Sequence, residues 1–538
     1  MRRLRLICLV PALLLLCTAA RAQTSDDDAA THAAKVKDQT ETFAPGSFET
    51  MQALTFELTP PVDVTPHRYL VVYRNGAIPG DAEARARAMG ARVLRRHERF
   101  GTTVVTGVAE VRSQLMADPQ VQTVVEDRLM KASTLRAVDA TGPTLRANPP
   151  RVAVAIAINA ADGYYRDSPQ GWAVRAVGGY GGGVAGSAGA GPWATTTGRG
   201  IRVAVLDSGV DRNHPDLAPN LALNLTEIDQ SAQPSACDDG SPADQSGHGT
   251  WVASLVASAA GDGTGDVVGV APGATLLNIK VLQRLPGAGS TVAQQCANGQ
   301  AYGLMSWVLQ GMEDAMAQHA DVILLAMGVT LDLYSGDSAG LKASFDRVTH
   351  AAAAAGIVVV AAAGNDGIDL SNPRYVEIPA QSRDVLAVVA STNPACAEDL
   401  RPGAACVAGP PALPYCSNRG APLHAVAAPG GSYPLGTDTG VSGWVRGACS
   451  TGLYGTVDGM PVDANHSYGC FNQGHAQYVQ AMGTSASAPL AAGVVALVRA
   501  AHPEWSAATV VSAVRASAGA AGVVDAAAAM SYRPADLP

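Results

Sequence analysis

An Asp, a His and a Ser, each inside a distinctive short motif, are the residues of this chain best equipped to do chemistry. Asp207 lies in Val-Ala-Val-Leu-Asp-Ser-Gly, His248 in Ser-Gly-His-Gly-Thr, and Ser485 in Gly-Thr-Ser-Ala-Ser-Ala-Pro. A serine hydroxyl attacks a carbonyl only when a base takes its proton, and an imidazole is a useful base when a carboxylate fixes its tautomer. Asp, His, Ser is one of three chain orders in which that geometry recurs on unrelated folds. Each residue alone has a blander role: a turn Asp before Ser208-Gly209, one of several ordinary histidines, a helix-capping Ser. Three motifs in one order weigh against all three bland roles at once. A fourth motif runs Ala-Ala-Ala-Gly364-Asn365-Asp366. Its amide can complete an oxyanion hole with the Ser485 backbone N–H, and its alternative role is a turn Asn.

These residues need rigid elements to hold them. The apolar run 203–206 reads as a strand buried on both faces, which puts Asp207 at the carboxyl edge of a sheet, where open α/β folds bind ligands. His248, between two glycines, opens an Ala/Val-rich helix over 248–260. Ser485 opens an Ala-rich helix to 501, whose N-terminal partial charge favours a developing oxyanion. Pro489 falls in the first turn, where a missing N–H costs little. Further strands are expected over 275–282, 322–327, 357–362 and 385–390, and helices over 303–319, 341–355 and 507–516. The alternation predicts an α/β fold, a parallel sheet flanked by helices. The stretches 393–414 and 436–477 read as loop insertions, and the Gly-rich run 178–191 as a further loop.

The N-terminal part is different. Arg2, Arg3 and Arg5, the apolar run 6–16 and Ala20-Arg21-Ala22 read as a secretory signal peptide over 1–22. The apolar run is short for a membrane anchor, and Leu16 before Cys17 is poor for a lipoprotein signal. Residues 23–66 form a polar leader with an acidic run at Asp26-Asp27-Asp28. Strands over 68–73, 102–108 and 121–127, with a helix over 81–89, predict a small α+β domain at 67–131. A linker or processing region at 132–167 follows.

At 538 residues and 47% hydrophobic content the chain can build a large core, and its net charge of −9 argues against nucleic acid or an anionic membrane as partner. No second long apolar span follows the signal, so a soluble mature protein is expected. Of nine cysteines, seven remain after residue 22, and none forms C-x-x-C, so disulfides rather than zinc are expected. Connectivity stays open, with Cys449–Cys470 the best single pairing, and an odd thiol is left over.

Taken together, the motifs resemble the subtilisin-like serine peptidase family. Gly269-Val-Ala-Pro-Gly and Ala428-Pro429-Gly430 add to the four above, and the likeness covers about 168–532, within a peptidase domain expected over 168–535. The resemblance implies that Asp207 orients, His248 is general base and acid, Ser485 attacks and Asn365 holds the oxyanion. It also implies that Gly328, Gly364 and Asp366 line the substrate cleft, and that 67–131 is an inhibitor-type propeptide. Three departures stand out. The family's Ser-Leu-Gly is Ala326-Met327-Gly328, its Met after the nucleophile is Ala486, and its His after the Pro is Leu490. The Gly-Thr-Ser-Ala-x-Ala-Pro-Leu run is similar to the kexin-type branch. The short stretch after Tyr532 is read as lacking that branch's β-sandwich, so a bacterial-type secreted subtilase is the expectation.

The expected function is a secreted, monomeric serine endopeptidase acting on proteins or peptides, with its own propeptide as intramolecular inhibitor. It would be extracellular or periplasmic. Asp366 is expected to favour a basic or polar substrate side chain. The chemistry needs no cofactor or metal. Structural Ca²⁺ is common in the family, but no ligand loop here identifies a site. Two competing readings are a narrow processing peptidase and a catalytically silent secreted binding protein on the same fold.

Overall fold

A computed structural model describes residues 67–132, 136–139, 171–179, 191–260, 267–394, 409–432, 443–450, 470–471, 476–519 and 522–534. The expected signal peptide and polar leader lie outside these residues, as do most of the Gly-rich run, all of 140–167 and much of both insertions.

The described residues open with β1 (Arg68–Tyr73), α1 (Ala82–Ala88), β2 (Arg92–His97), β3 (Thr102–Thr106), α2 (Ala109–Met116) and β4 (Val121–Glu126). The strands form an antiparallel sheet in the order β2-β3-β1-β4. Period-2 alternation decides which face each residue joins. Tyr69, Val71 and Tyr73 pack with Ala82 and Ala86 of α1 and Val111 and Leu115 of α2. Leu70, Val104 and Val125 face the other way, into a core shared with the rest of the chain. β2 and α2 go beyond the sequence expectation. β2 reads Arg-Val-Leu-Arg-Arg-His, too charged to signal a strand.

Next come β5 (Leu129–Ala132), β6 (Arg136–Asp139), β7 (Arg202–Asp207), β8 (Leu221–Thr226), α3 (His248–Ala257), β9 (Thr275–Lys280), β10 (Gln283–Leu285), β11 (Gln300–Leu304) and α4 (Met305–Ala317). Then follow β12 (Val322–Leu325), β13 (Met327–Asp332), α5 (Ser338–Ala354), β14 (Val358–Ala362), β15 (Tyr375–Ile378), β16 (Val385–Ser391), β17 (Val426–Pro429), β18 (Val445–Ala448), β19 (Tyr478–Met482), α6 (Thr484–Ala501) and α7 (Ala507–Ser517).

The central sheet has seven strands in the order β17-β16-β14-β12-β7-β9-β8, and every pairing in it is parallel. A parallel sheet must be covered on both faces because its crossover helices lie on them. Alternate residues separate accordingly. Val203 and Val205 join the core of α3, α6 and α7, while Ala204 and Leu206 join the core of α4 and α5. The α/β class read from the sequence is the fold observed.

Three local expectations are corrected. The helix expected from 303 begins at Met305, because Gly303 and Leu304 belong to β11, which pairs with β5. The strand expected over 322–327 is two strands. At Ala326 the chain leaves its parallel neighbours, and β13 pairs instead with β5 and β15. The stretch 436–477, expected as a loop, contains β18, paired with β19. In all three the deciding partner is remote in sequence, so local periodicity carries no sign of it.

Candidate active site

Three buried backbone junctions bring Asp207, His248 and Ser485 together. Asp207 is the last residue of β7, inside the sheet between β12 and β9, and is fully buried. His248 is the first residue of α3, all ten residues of which are buried. Ser485 lies in the first turn of α6, after Gly483 at φ +132°. His248 Nδ1 is 2.6 Å from Asp207 Oδ1, and His248 Nε2 is 3.0 Å from Ser485 Oγ. The backbone N–H of Ser208 also donates to Asp207 Oδ1, at 2.7 Å. A carboxylate on Nδ1 holds the proton there, leaving the Nε2 lone pair to accept from the Ser485 hydroxyl. Ala326 O, 3.2 Å away, is a second acceptor for that hydroxyl. The arrangement can therefore move a proton from Oγ to imidazole while Oγ attacks a carbonyl.

Asn365 follows β14, close to the start of α6. The backbone N–H of Thr484 donates to Asn365 Oδ1 at 2.8 Å, and Thr484 Oγ1 lies 3.1 Å from the same atom. With the oxygen anchored, the amide's donor end faces away from Thr484. The Ser485 N–H belongs to the first helical turn, where no intrahelical acceptor exists. An oxyanion hole would require the Asn365 amide N–H and the Ser485 N–H to converge beside the nucleophile.

The His248 loop is organised by Asp244, a residue without a motif of its own. Ser246 N, Gly247 N and Ser208 Oγ donate to its Oδ1, and Thr250 N and Oγ1 donate to its Oδ2. Burial raises the pKa of this carboxyl, against the hydrogen bonds, which lower it. A second wall comes from the end of the 436–477 insertion. Cys449 and Cys470 form a disulfide, and the Phe471 ring meets the His248 ring edge-on at 5.9 Å. Gly247, at φ +89°, has no room for a side chain, since a Cβ there would press on Cys470 and Phe471. Cys237 pairs with Cys296, Cys416 is buried against Trp444 and Met482, and Cys396 and Cys406 lie outside the described residues.

A segment of the chain's own N-terminal part occupies the groove beside Ser485. β5 lies antiparallel between β11 and β13, with Met130 opposite Gly303, Lys131 opposite Gly328 and Ala132 opposite Met327. Beyond it, β6 pairs with β19, with Arg136 opposite Met482. β13 begins just after Ala326, and β19 ends just before the turn into Ser485. The strand thus arrives along one flank of the nucleophile and leaves along the other.

Gly328, Gly364 and Asp366 gather on the β13 side together with a residue that no motif flagged, Glu377. Thr330 and Glu377 are register partners in β13 and β15. A methyl group added at Gly328 would collide with Glu377 Oε1, and one added at Gly364 would lie 3.1 Å from it. The Glu377 carboxylate therefore lies behind the two segments that flank Ser485, and it is buried. Thr330 Oγ1 is 2.5 Å from Glu377 Oε2 and 3.3 Å from Asp366 Oδ2. Burial, and then the Asp366 charge, push the Glu377 pKa well above the usual carboxylate range. Lys131 Nζ lies 3.6 Å from Asp366 Oδ1. Burial lowers the Lys131 pKa, but Asp366, Tyr302 and Glu377 outweigh it, and the net shift is upward. Among the described residues, no group of three or more His, Cys, Asp or Glu could hold a metal ion.

Residues 198–531 match the model of the subtilase family. Among curated proteins, the chain is 36% identical over 178 residues to an intracellular serine protease of Paenibacillus polymyxa, covering 32% of this chain and 44% of that protein. It is 30% identical over 310 residues to subtilisin NAT of Bacillus subtilis subsp. natto, covering 58% of each. The chain spans about half the length of the curated relatives it matches. Two solved structures share the fold. Fervidolysin from Fervidobacterium pennivorans has a TM-score of 0.57 and 19% identity over 87% of this chain and 61% of that one. The epidermin leader peptide processing serine protease of Staphylococcus aureus has a TM-score of 0.57 and 17% identity over 87% and 99%.

Proposed function

The chain belongs to the subtilase family, and on that premise we propose that it is a secreted serine endopeptidase made as a preproenzyme. Residues 1–22 are its signal, 23–66 a polar leader, 67–131 an inhibitor, 132–167 the processing region and 168–535 the peptidase. The observation that carries the reading is one imidazole bridging a buried carboxylate at 2.6 Å and a serine hydroxyl at 3.0 Å.

Ser485 Oγ attacks the carbonyl carbon of the substrate as its proton passes to His248 Nε2. Asp207 holds the ring and stabilises the imidazolium. Asn365 Nδ2 and the Ser485 N–H bind the oxyanion of the tetrahedral intermediate. His248 then gives its proton to the departing amine, the C–N bond breaks, and an ester to Ser485 remains. Water attacks that ester with His248 again as base, and the proton returns to Oγ. In the precursor the first substrate is the chain itself. β5 and β6 run along opposite flanks of the nucleophile, so the first cleavage falls between Ala132 and Arg136.

The test is Ser485→Ala beside the parent. The expected loss of casein hydrolysis is about 10⁶-fold, the size known for the corresponding change in a subtilisin. The variant should also accumulate as precursor, while N-terminal sequencing of the parent should find a start between 133 and 136. A variant that still processes itself and hydrolyses casein at the parental rate would end the reading. The silent-binder alternative requires that a fluorophosphonate probe leave the mature protein unlabelled.

A further inference from the structure

A first cleavage between Ala132 and Arg136 gives the two groove strands different fates. β5 is continuous with the 67–131 domain and leaves when that domain leaves. β6 lies beyond the cut, so Arg136–Asp139 stays covalently part of the peptidase. Its four residues pair with β19 in unbroken register, from Arg136 opposite Met482 to Asp139 opposite Val479. β18, contributed by the 436–477 insertion, pairs with the other edge of β19. β19 is therefore the middle strand of a three-stranded sheet only while a strand lies in the place of β6. Without one, its edge would present unpaired N–H and C=O groups beside Val479, Ala481 and Met482, all of them buried in this structure.

A second observation shows that β6 is also tied to the sheet from its far side. Trp172 is buried, and its indole N–H donates to Trp444 O at 2.9 Å. Trp444 directly precedes β18, is itself buried, and donates from Nε1 to Ser432 O at 2.7 Å. Residues 140–170 thus connect two points on one small sheet, β6 at its outer edge and the Trp172 anchor beside β18. Both points lie after the cut, so the cut releases neither. Covalent linkage keeps such a strand at a local concentration on the order of millimolar, and a substrate in solution must compete against it.

We propose that the edge of β19 is a docking edge for an extended polypeptide segment, and that after the first cleavage its occupant is the chain's own Arg136–Asp139. The half of the groove beyond the scissile bond then stays closed in cis after the 67–131 domain has gone. This rests on the peptidase reading above and adds a second barrier to activity. A substrate with nothing beyond the scissile bond needs only the half that β5 vacates. One that continues for several residues must also displace β6.

The experiment uses the self-processed enzyme freed of the 67–131 domain. Hydrogen exchange read by mass spectrometry reports on the pairing itself: the amides of 136–139 should exchange at least about 10²-fold more slowly than in an unfolded peptide. Exchange at the unfolded rate would overturn the docking, as would a self-processed N-terminus beyond Asp139, since no tethered strand would remain. Kinetics supply the second readout, with two substrates that share the residues before the scissile bond. One ends there in an anilide and the other continues for several residues. Ala137→Pro with Val138→Pro removes the N–H from two adjacent residues, one of which donates to β19 in any antiparallel register. The ratio of long-peptide to anilide kcat/KM should rise at least about tenfold in this variant, and an unchanged ratio would overturn the docking. If the variant fails to process itself, exchange in the parent still decides. Fluorophosphonate labelling in parallel separates the two claims. Label with freely exchanging 136–139 overturns the docking alone, whereas no label and no self-processing overturn the peptidase reading and the docking with it.

Discussion

Asp244 shows how much of a catalytic geometry can depend on a residue that never meets substrate. Its two oxygens collect five donors from Ser208, Ser246, Gly247 and Thr250, and together these define the loop that delivers His248. Asp244→Asn keeps the shape but replaces one acceptor oxygen with an NH₂, so donors meet donors. Each unmade buried hydrogen bond costs about 1–3 kcal/mol. The variant is expected to melt several degrees lower and to lose at least about tenfold in kcat, since small displacements of a catalytic group are expensive. Thermal melts and steady-state kinetics check this, and unchanged values in both would remove Asp244 from the account.

At the scale of elements, α3 is held in place by chain that arrives more than 190 residues later. Trp251 Nε1 donates to Val445 O at 3.3 Å, Ala448 N donates to Ser254 Oγ at 3.0 Å, and Phe471 N donates to Ser246 O at 2.8 Å. The Cys449–Cys470 bond ties the two ends of this insertion together beside Gly247. Removing it as Cys449→Ser with Cys470→Ser is expected to cost about 2–4 kcal/mol of stability. It should also lower kcat more than it raises KM, because Phe471 walls the imidazole rather than the groove. A lower melting temperature with unchanged kcat would limit the staple to a structural role.

Across the whole molecule, polar contacts join the 67–131 domain to the large sheet domain. Arg95 of β2 donates to Glu227 Oε2 at 3.0 Å, and His97 Nδ1 lies 3.0 Å from Glu313 Oε2. Burial, followed by the hydrogen bond and charge of Asp314, raises the Glu227 pKa to about 8, with Arg95 pulling the other way. When the 67–131 domain leaves, the loss of Arg95 raises the Glu227 pKa and water reaching the carboxyl lowers it; burial is the larger effect, so the net change frees a proton. The complex then holds a proton that the separated parts do not, between the ordinary carboxylate range and about 8. Affinity for the 67–131 domain should therefore fall as pH rises through that window, by at most about tenfold per unit for one proton, and level off above it. Following the release of inhibition in the processed complex from pH 5 to 9 tests this. Glu227→Gln should flatten the profile, and a persistent slope in that variant would remove Glu227 from the account.

The chemistry-bearing residues were legible before any fold because their requirements are local. A strand end, a glycine-flanked helix start and a helix N-terminus each leave a signature within a few residues, as Asp207, His248, Ser485 and Asn365 do. The parallel sheet was legible for the same reason, since strands covered on both faces read as continuous apolar runs. Glu377, Asp244, β13 and the groove strand at 129–132 left no such trace. Glu377 reaches the cleft only because the register of β15 on β13 sets it opposite Thr330, and β5 becomes a strand only because β11 and β13 lie open to receive it. Contacts between segments distant along the chain carry no periodicity for a reader of residues to detect, so the shape and charge of the cleft were decided by tertiary pairing.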